Sequence, residues 1–168
     1  MRMLRSAATG LALIALAGCV TQFVTGCGCR KLGEDDVLNV QARLPHALPV
    51  PAMDQRVIAS SIDRNHHTMS TLTGNDLAVK YAATEVYPVG SQLALTTWLE
   101  RDDPHWFGAR IPGSFVALET VTMERGADGK VTAHYTRYAG DPLREVTDAA
   151  VAEARKTAIL GMRPSGMP

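Results

Sequence analysis

The densest run of side chains able to do chemistry extends from Trp98 to Phe115, which holds both tryptophans and two of the three phenylalanines. Its centre, Arg101-Asp102-Asp103-Pro104-His105-Trp106-Phe107-Gly108, sets aromatic faces beside carboxylates and an imidazole. Two readings fit such a loop: ordinary packed aromatics, or a ligand pocket lined by Trp98, His105, Trp106 and Phe107. Asp102, Asp103 and His105 carry oxygen and nitrogen donors that a metal could use, but acidic residues beside a proline are commoner as turn and capping groups. His66 and His67 precede Met69, a grouping suited to copper. Adjacent strand residues face opposite ways, so one ion does not easily reach both imidazoles. No metal set is assigned, and His66, His67 and His105 stand only as candidates. His134 alternates onto a threonine-rich face that should be solvated.

Cys27-Gly28-Cys29 could close a strained disulfide, join two chains or hold a soft metal, with a disulfide or an idle pair favoured over the metal. The chain has no nucleophile elbow, phosphate loop or zinc-protease motif. No catalytic residue is assigned, and whether the protein is an enzyme stays open.

These groups must be positioned by the elements around them. Arg56 to Ile62 and His67 to Thr73 alternate as strands, and Gly74-Asn75-Asp76 marks a helix start ahead of Leu77, Ala78, Tyr81 and Ala82. Pro88 and Gly90 should stop that helix. Leu93 to Arg101 reads as a strand with Leu93, Leu95 and Leu99 on a core face and Ala94, Thr96 and Trp98 on the other. Between Phe115 and Tyr138 a hairpin is expected, and its register can be argued. Val121 and Met123 must share a face with Val131, Ala133 and Tyr135, which requires an odd-length loop. Ala127-Asp128-Gly129 fits, with Gly129 left-handed. The resulting pairs are Met123 with Ala133, Val121 with Tyr135 and Glu119 with Arg137, the last as a structural ion pair that stops a lone charge from being stranded beside an apolar face. A C-terminal helix is expected after Asp141-Pro142 or Thr147-Asp148, burying Ala150, Val151, Ala154, Ala158 and Ile159 and ending at Gly161. Strands in series with one helix inserted and another following make an α+β domain built on an antiparallel sheet.

The 168 residues carry 17 Lys+Arg against 17 Asp+Glu, a balance that argues against a nucleic-acid footprint. Met1-Arg2-Met3-Leu4-Arg5 and the uncharged apolar run Ala7 to Ala17 read as an export leader covering residues 1–18, too short to span a bilayer. Leu16-Ala17-Gly18-Cys19 resembles the bacterial lipobox, which implies a Cys19 carrying diacylglycerol and further acyl chains such as palmitate. Simple cleavage after Ala17, or lipid on Cys27, are the rivals. With three cysteines, lipid on Cys19 leaves Cys27 and Cys29 as an even pair in an oxidising compartment. Val20 after the lipidated residue, rather than Asp, resembles lipoproteins sorted to the outer membrane, which places the protein on its periplasmic face. Residues 19–55, punctuated by Pro45, Pro49 and Pro51, read as a tether with a short helix from Glu34 to Arg43. Residues 56–168 read as the folded domain.

The run Thr68-Met69-Ser70-Thr71-Leu72-Thr73-Gly74-Asn75-Asp76-Leu77-Ala78-Val79-Lys80, then Tyr87-Pro88-Val89-Gly90-Ser91-Gln92-Leu93-Ala94-Leu95, then Trp98, resembles the cytochrome P-460 family. Glu119 in its apolar strand and Tyr138-Ala139-Gly140 extend the likeness, which covers about Arg56 to Gly140. The resemblance implies an antiparallel sheet with packed helices, usually dimeric, in a periplasmic haem protein that oxidises hydroxylamine or binds nitric oxide. The family attaches haem through a C-terminal Cys-x-x-Cys-His. This chain has no Cys after Cys29 and no His after His134, so a covalent c-type haem is not expected. A non-covalent haem, stacked on the aromatic loop with His105, His66 or His67 as ligand, is the form of haem still open.

The leading expectation is a P-460-like lipoprotein domain that binds a small molecule or serves the envelope. A haem or copper redox protein acting on small nitrogen or oxygen species, and a structural lipoprotein docking on another envelope protein, are the alternatives.

Overall fold

In the computed structural model, residues 38–49 and 55–165 are described, all within the unit Leu38–Pro168. The leader, Cys19, Cys27 and Cys29 lie outside the described residues. Of the expected helix from Glu34 to Arg43, residues 34–37 also lie outside, and the rest holds only a single 3-10 turn, Val40–Ala42. That turn does not extend because Arg43 is already extended. The segment is also not a bare tether: Asn39 Nδ2 donates to the Pro112 carbonyl at 2.6 Å, and its Oδ1 accepts from Arg101 Nη2 at 3.0 Å.

Six strands make up the sheet: β1 Arg56–Asp63, β2 Thr68–Gly74, β3 Gln92–Asp102, β4 Arg110–Arg125, β5 Val131–Ala139 and β6 Arg144–Glu145. They pair antiparallel in chain order, a meander in which every neighbour in sequence is a neighbour in the sheet. Two helices join it, α1 Asp76–Tyr81 between β2 and β3, and α2 Ala149–Leu160 after β6. The antiparallel α+β expectation holds at this level. No helix among the described residues is long and apolar enough to cross a membrane.

The β4–β5 register is the one the apolar pattern required: Met123 opposes Ala133, Val121 opposes Tyr135 and Glu119 opposes Arg137. Gly126 N donates to the Lys130 carbonyl at 2.8 Å and closes the loop Ala127-Asp128-Gly129, where Gly129 has φ +80°. A side chain there would meet no neighbour but would strain the backbone, which is why glycine suits it.

Helix α1 starts where expected. Asn75 Oδ1 accepts from Ala78 N at 3.0 Å and from Gln92 N at 3.2 Å, while Nδ2 donates to the Gly90 carbonyl at 2.9 Å. One side chain thus caps the helix and ties it to the start of β3. Gly74 lets the helix lie close, since a Cβ there would come within 2.7 Å of Ile58 Cδ1 and 2.8 Å of Ala78 Cβ. The helix ends before Pro88, at Tyr81, and a 3-10 turn Ala82–Thr84 runs into the left-handed Glu85.

The main core cluster lies on one face of the sheet, with Leu72, Leu93, Leu95 and Val121 packed against Ile58, Ala78, Ala82, Tyr87 and Ile159. Two sequence expectations fail beside it. Leu99 is 48% exposed rather than core, because the β3–β4 register slips on either side of Trp98 and re-aims the strand residues beyond it. Of the expected α2 stripe only Ile159 is buried, while Ala150, Val151, Ala154 and Ala158 are exposed. The helix instead turns Ala152, Arg155, Lys156 and Ile159 toward the body, the i, i+3, i+4, i+7 positions of one face. Burying an alanine methyl gains about 0.8 kcal/mol, whereas a buried carboxylate without its cation costs several, so the arginine sets the rotation.

Candidate functional site

Cross-strand rows on the apolar face lead directly to the site. Leu72, Leu95, Glu119 and Arg137 face one another in one row, and Gly74, Leu93, Val121 and Tyr135 in the next. Glu119 is therefore a carboxylate in an otherwise aliphatic row, 3% exposed. A buried charge in such a place must be compensated.

Compensation comes from α2. Arg155 Nε donates to Glu119 Oε1 at 2.9 Å and Nη2 donates to Oε2 at 2.6 Å, a two-pronged clamp, and Tyr135 OH donates to Oε1 at 2.6 Å. The expected ion pair of Glu119 with Arg137 is corrected here. Arg137 does sit opposite on the same face, but the hydrogen-bonded pair forms with Arg155, whose helical position lets the guanidinium approach both oxygens at once. Sequence reasoning missed Arg155 and the Tyr135 hydroxyl. The signal available was an arginine inside the apolar period of the last helix and a lone glutamate in an apolar strand that needed a cation.

Burial is the strongest influence on Glu119 and pushes its carboxyl upward, yet the hydrogen bonds from Arg155 and Tyr135 and the charges of Arg155 and Arg137 together hold it below its ordinary value. Tyr135 moves the other way, to about 12, through burial and through donating to an anion that its own ionisation would repel. Neither group is poised to exchange protons near neutrality.

Beside this cluster lies a pocket of about 320 Å³, walled by Thr97, Val116, Ala117 and Val151 and by the polar groups Glu119, Tyr135, Arg137 and Arg155. Val151, 45% exposed, is the apolar residue that α2 contributes to the pocket. Val116 takes part because the register slip after Thr97 leaves it without a partner on β3. The pocket holds two guanidinium groups and one carboxylate, and Arg137 has no ion-pair partner among the described residues. A second pocket of similar volume lies between Arg43, Leu44, Pro45 and His46 and the residues Phe115, Gly140 and Asp141.

The aromatic candidates are not gathered in this pocket. In the stretch from Arg101 to Gly113 the two ends are strand, with β3 and β4 paired as far as Asp102 and Arg110. Only residues 103–109 form the tip, where Trp106 is 72% exposed and Phe107 fully so. His105 is exposed as well, and its backbone N–H donates to Asp103 Oδ1 at 2.8 Å, the turn-capping role expected of an acid beside proline. Asp102 pairs with Arg110 at 2.9 Å. Trp98 is half-buried on the opposite face from Leu95, and its Nε1 is buried without a hydrogen-bond partner. His66 Nδ1 lies 2.7 Å from Asp63 Oδ2 and His67 Nδ1 lies 2.9 Å from Glu100 Oε1, so the two imidazoles engage different carboxylates. No group of three or more His, Cys, Asp or Glu among the described residues could hold a metal ion. His134 is exposed on the threonine-bearing face.

No protein-family model matches the chain, and no curated protein matches it.

Proposed function

We propose that the protein is a lipid-anchored, periplasm-facing domain of cytochrome P-460-like architecture whose Glu119–Arg155 pocket binds a small organic anion. The observation that carries this reading is the charge of the pocket: two guanidiniums stand over one carboxylate, and that carboxylate is already taken by Arg155 and Tyr135. Arg137 is left to meet an incoming negative group, and a guanidinium offers a planar fork suited to carboxylate or phosphate. The walls of Val116, Ala117 and Val151 suit a short apolar body. The volume falls at the small end of ligand sites. A depressed Glu119 and a raised Tyr135 favour binding over proton transfer.

The antiparallel sheet with packed helices agrees in outline with what the P-460 resemblance implies. The residues present do not fit that family's covalent haem. The chain lacks the thiols and the C-terminal imidazole, no histidine lines the Glu119 pocket, and His66 and His67 are each engaged with a carboxylate. The tether through Cys19 and the placement on the outer membrane are part of the same proposal and rest on the leader and lipobox residues.

Titrating isotope-labelled protein with butyrate and, separately, with butylamine tests the reading. Butyrate should shift the amide resonances of Thr97, Val116 and Val151, butylamine should not, and Arg137→Gln should weaken butyrate binding about tenfold, the loss of one charge-assisted contact. Equal response to both compounds, or an Arg137→Gln protein that binds as wild type does, would overturn it.

A further inference from the structure

We infer that the tip of the β3–β4 hairpin, centred on Trp106 and Phe107, is a membrane contact that inserts into the interface of the bilayer holding the lipid anchor. The inference rests on the lipid-anchor reading and adds a second point of attachment. Exposed aromatics are costly in water, and here the exposure is built in. Asp103 N donates to the Ala109 carbonyl at 3.0 Å, Ala109 N donates to the Trp106 carbonyl at 3.0 Å, and Gly108 turns the chain with φ +78°. The tip is a closed, hydrogen-bonded turn that presents its rings outward.

Its surroundings point to lipid. Leu99 and Ile62, both exposed, lie at the same end of the sheet, where Ile62 opposes Met69, Met69 opposes Trp98 and Thr68 opposes Leu99. Of the acids at that end, Asp63 is hydrogen-bonded to His66, Glu100 to His67 and Asp102 is paired with Arg110, while Asp103 in the tip accepts from the backbone N–H of His105; Arg64 in the β1–β2 turn has no ion-pair partner among the described residues. Exposed aromatic rings flanked by polar and charged groups suit the headgroup boundary, where tryptophan places its ring in lipid and its N–H in water. A narrow convex tip is a poor match for the broad flat patch of a protein interface.

Asn39, near the start of the described residues, is bonded to Pro112 and Arg101 on the arms of this same hairpin. The described residues therefore begin beside the arms of this hairpin. Anchoring at Cys19 would keep the tip at high local concentration near the bilayer, so a weak insertion suffices.

The test uses full-length protein carrying Trp98→Phe, which removes a buried N–H that has no partner and leaves Trp106 as the single indole reporter. The purified protein is reconstituted into phosphatidylcholine vesicles with and without brominated acyl chains, and its intact mass is read in parallel. A blue-shifted Trp106 emission, about halved by the brominated lipid, is expected, and Phe107→Ser should reduce that quenching. Acyl mass on Cys19 with Trp106 emission unmoved by lipid overturns the tip and leaves the anchor standing. Absence of acyl mass overturns the anchor, and the same protein added to preformed brominated vesicles then still decides the tip: quenching supports insertion, and none overturns it.

Discussion

Replacing Arg155 by methionine keeps most of the side chain's bulk and takes the guanidinium away from Glu119. Wild type makes two charge-assisted hydrogen bonds there, at 2.9 and 2.6 Å, each worth roughly 1.5–3 kcal/mol. Breaking a fully buried pair costs about 3–5 kcal/mol. The Arg155 side chain is 45% exposed while that of Glu119 is 4% exposed, so water can partly replace the lost donor. Discounted for that access, the expected loss is about 2 kcal/mol at neutral pH, a fall of roughly 1 M in the urea midpoint for a domain of this size. The dependence on pH is the sharper test. Glu119 is depressed in the fold, so its contribution is fully present above its ordinary value near 4.5 and is lost as the pH falls through the folded value. In the variant burial acts with less opposition and the carboxyl should rise. The gap between wild type and variant should therefore be widest near neutrality and narrow only as the pH falls well below the ordinary carboxylate range, through the depressed folded value. Urea unfolding followed by circular dichroism at neutral and acid pH, with Glu119→Gln and the double variant completing the cycle, measures it. A gap that stays constant from neutral to acid pH would refute the reasoning, as would a stability at neutral pH equal to that of wild type.

Further outcomes rest on the same structure. Tyr135 should be the late-titrating tyrosine, at about 12, so stability should decline as pH rises from about 10 toward that value; Tyr135→Phe should lose about 1 kcal/mol at neutral pH and flatten the alkaline decline, read by absorbance titration and urea melts. Gly74→Ala should destabilise by about 1–3 kcal/mol in chemical denaturation, because its Cβ would press on Ile58 and Ala78 at the start of α1. Asn75→Ala should cost about 1–2 kcal/mol, seen as a lower thermal midpoint, since it removes the cap and the links to Gly90 and to Gln92 at the start of β3. Trp106→Ser should leave the unfolding midpoint within about 0.5 kcal/mol of wild type, because its ring stands in solvent.

Features that depend on neighbours along the chain were legible in the sequence. The β4–β5 register came from alternation and loop parity, since Val121, Met123, Ala133 and Tyr135 admit only one pairing that buries them together. Asn75 was legible as a cap because capping is local. The errors have different causes. Leu99 left the core because of register slips against the next strand on either side of the Trp98–Phe115 pair, which the alternation of β3 alone does not reveal. Helix α2 rotated because a glutamate thirty-six positions earlier needed Arg155. Trp106 and Phe107 were expected among packed aromatics on residue type alone, and a turn closed by its own backbone exposes them instead. The pocket was hidden because its lining comes from β3, β4, β5 and α2, with no motif in any one of them.

The central claim is that Arg137 and Arg155 give this pocket an affinity for an organic anion. Anomalous scattering from crystals grown with 4-bromobutyrate locates the ligand without prior assumption. The account predicts a bromine peak against Val116 and Val151 with the carboxylate at the Arg137 guanidinium. A peak confined to other surfaces, or none at saturating concentration, would contradict it.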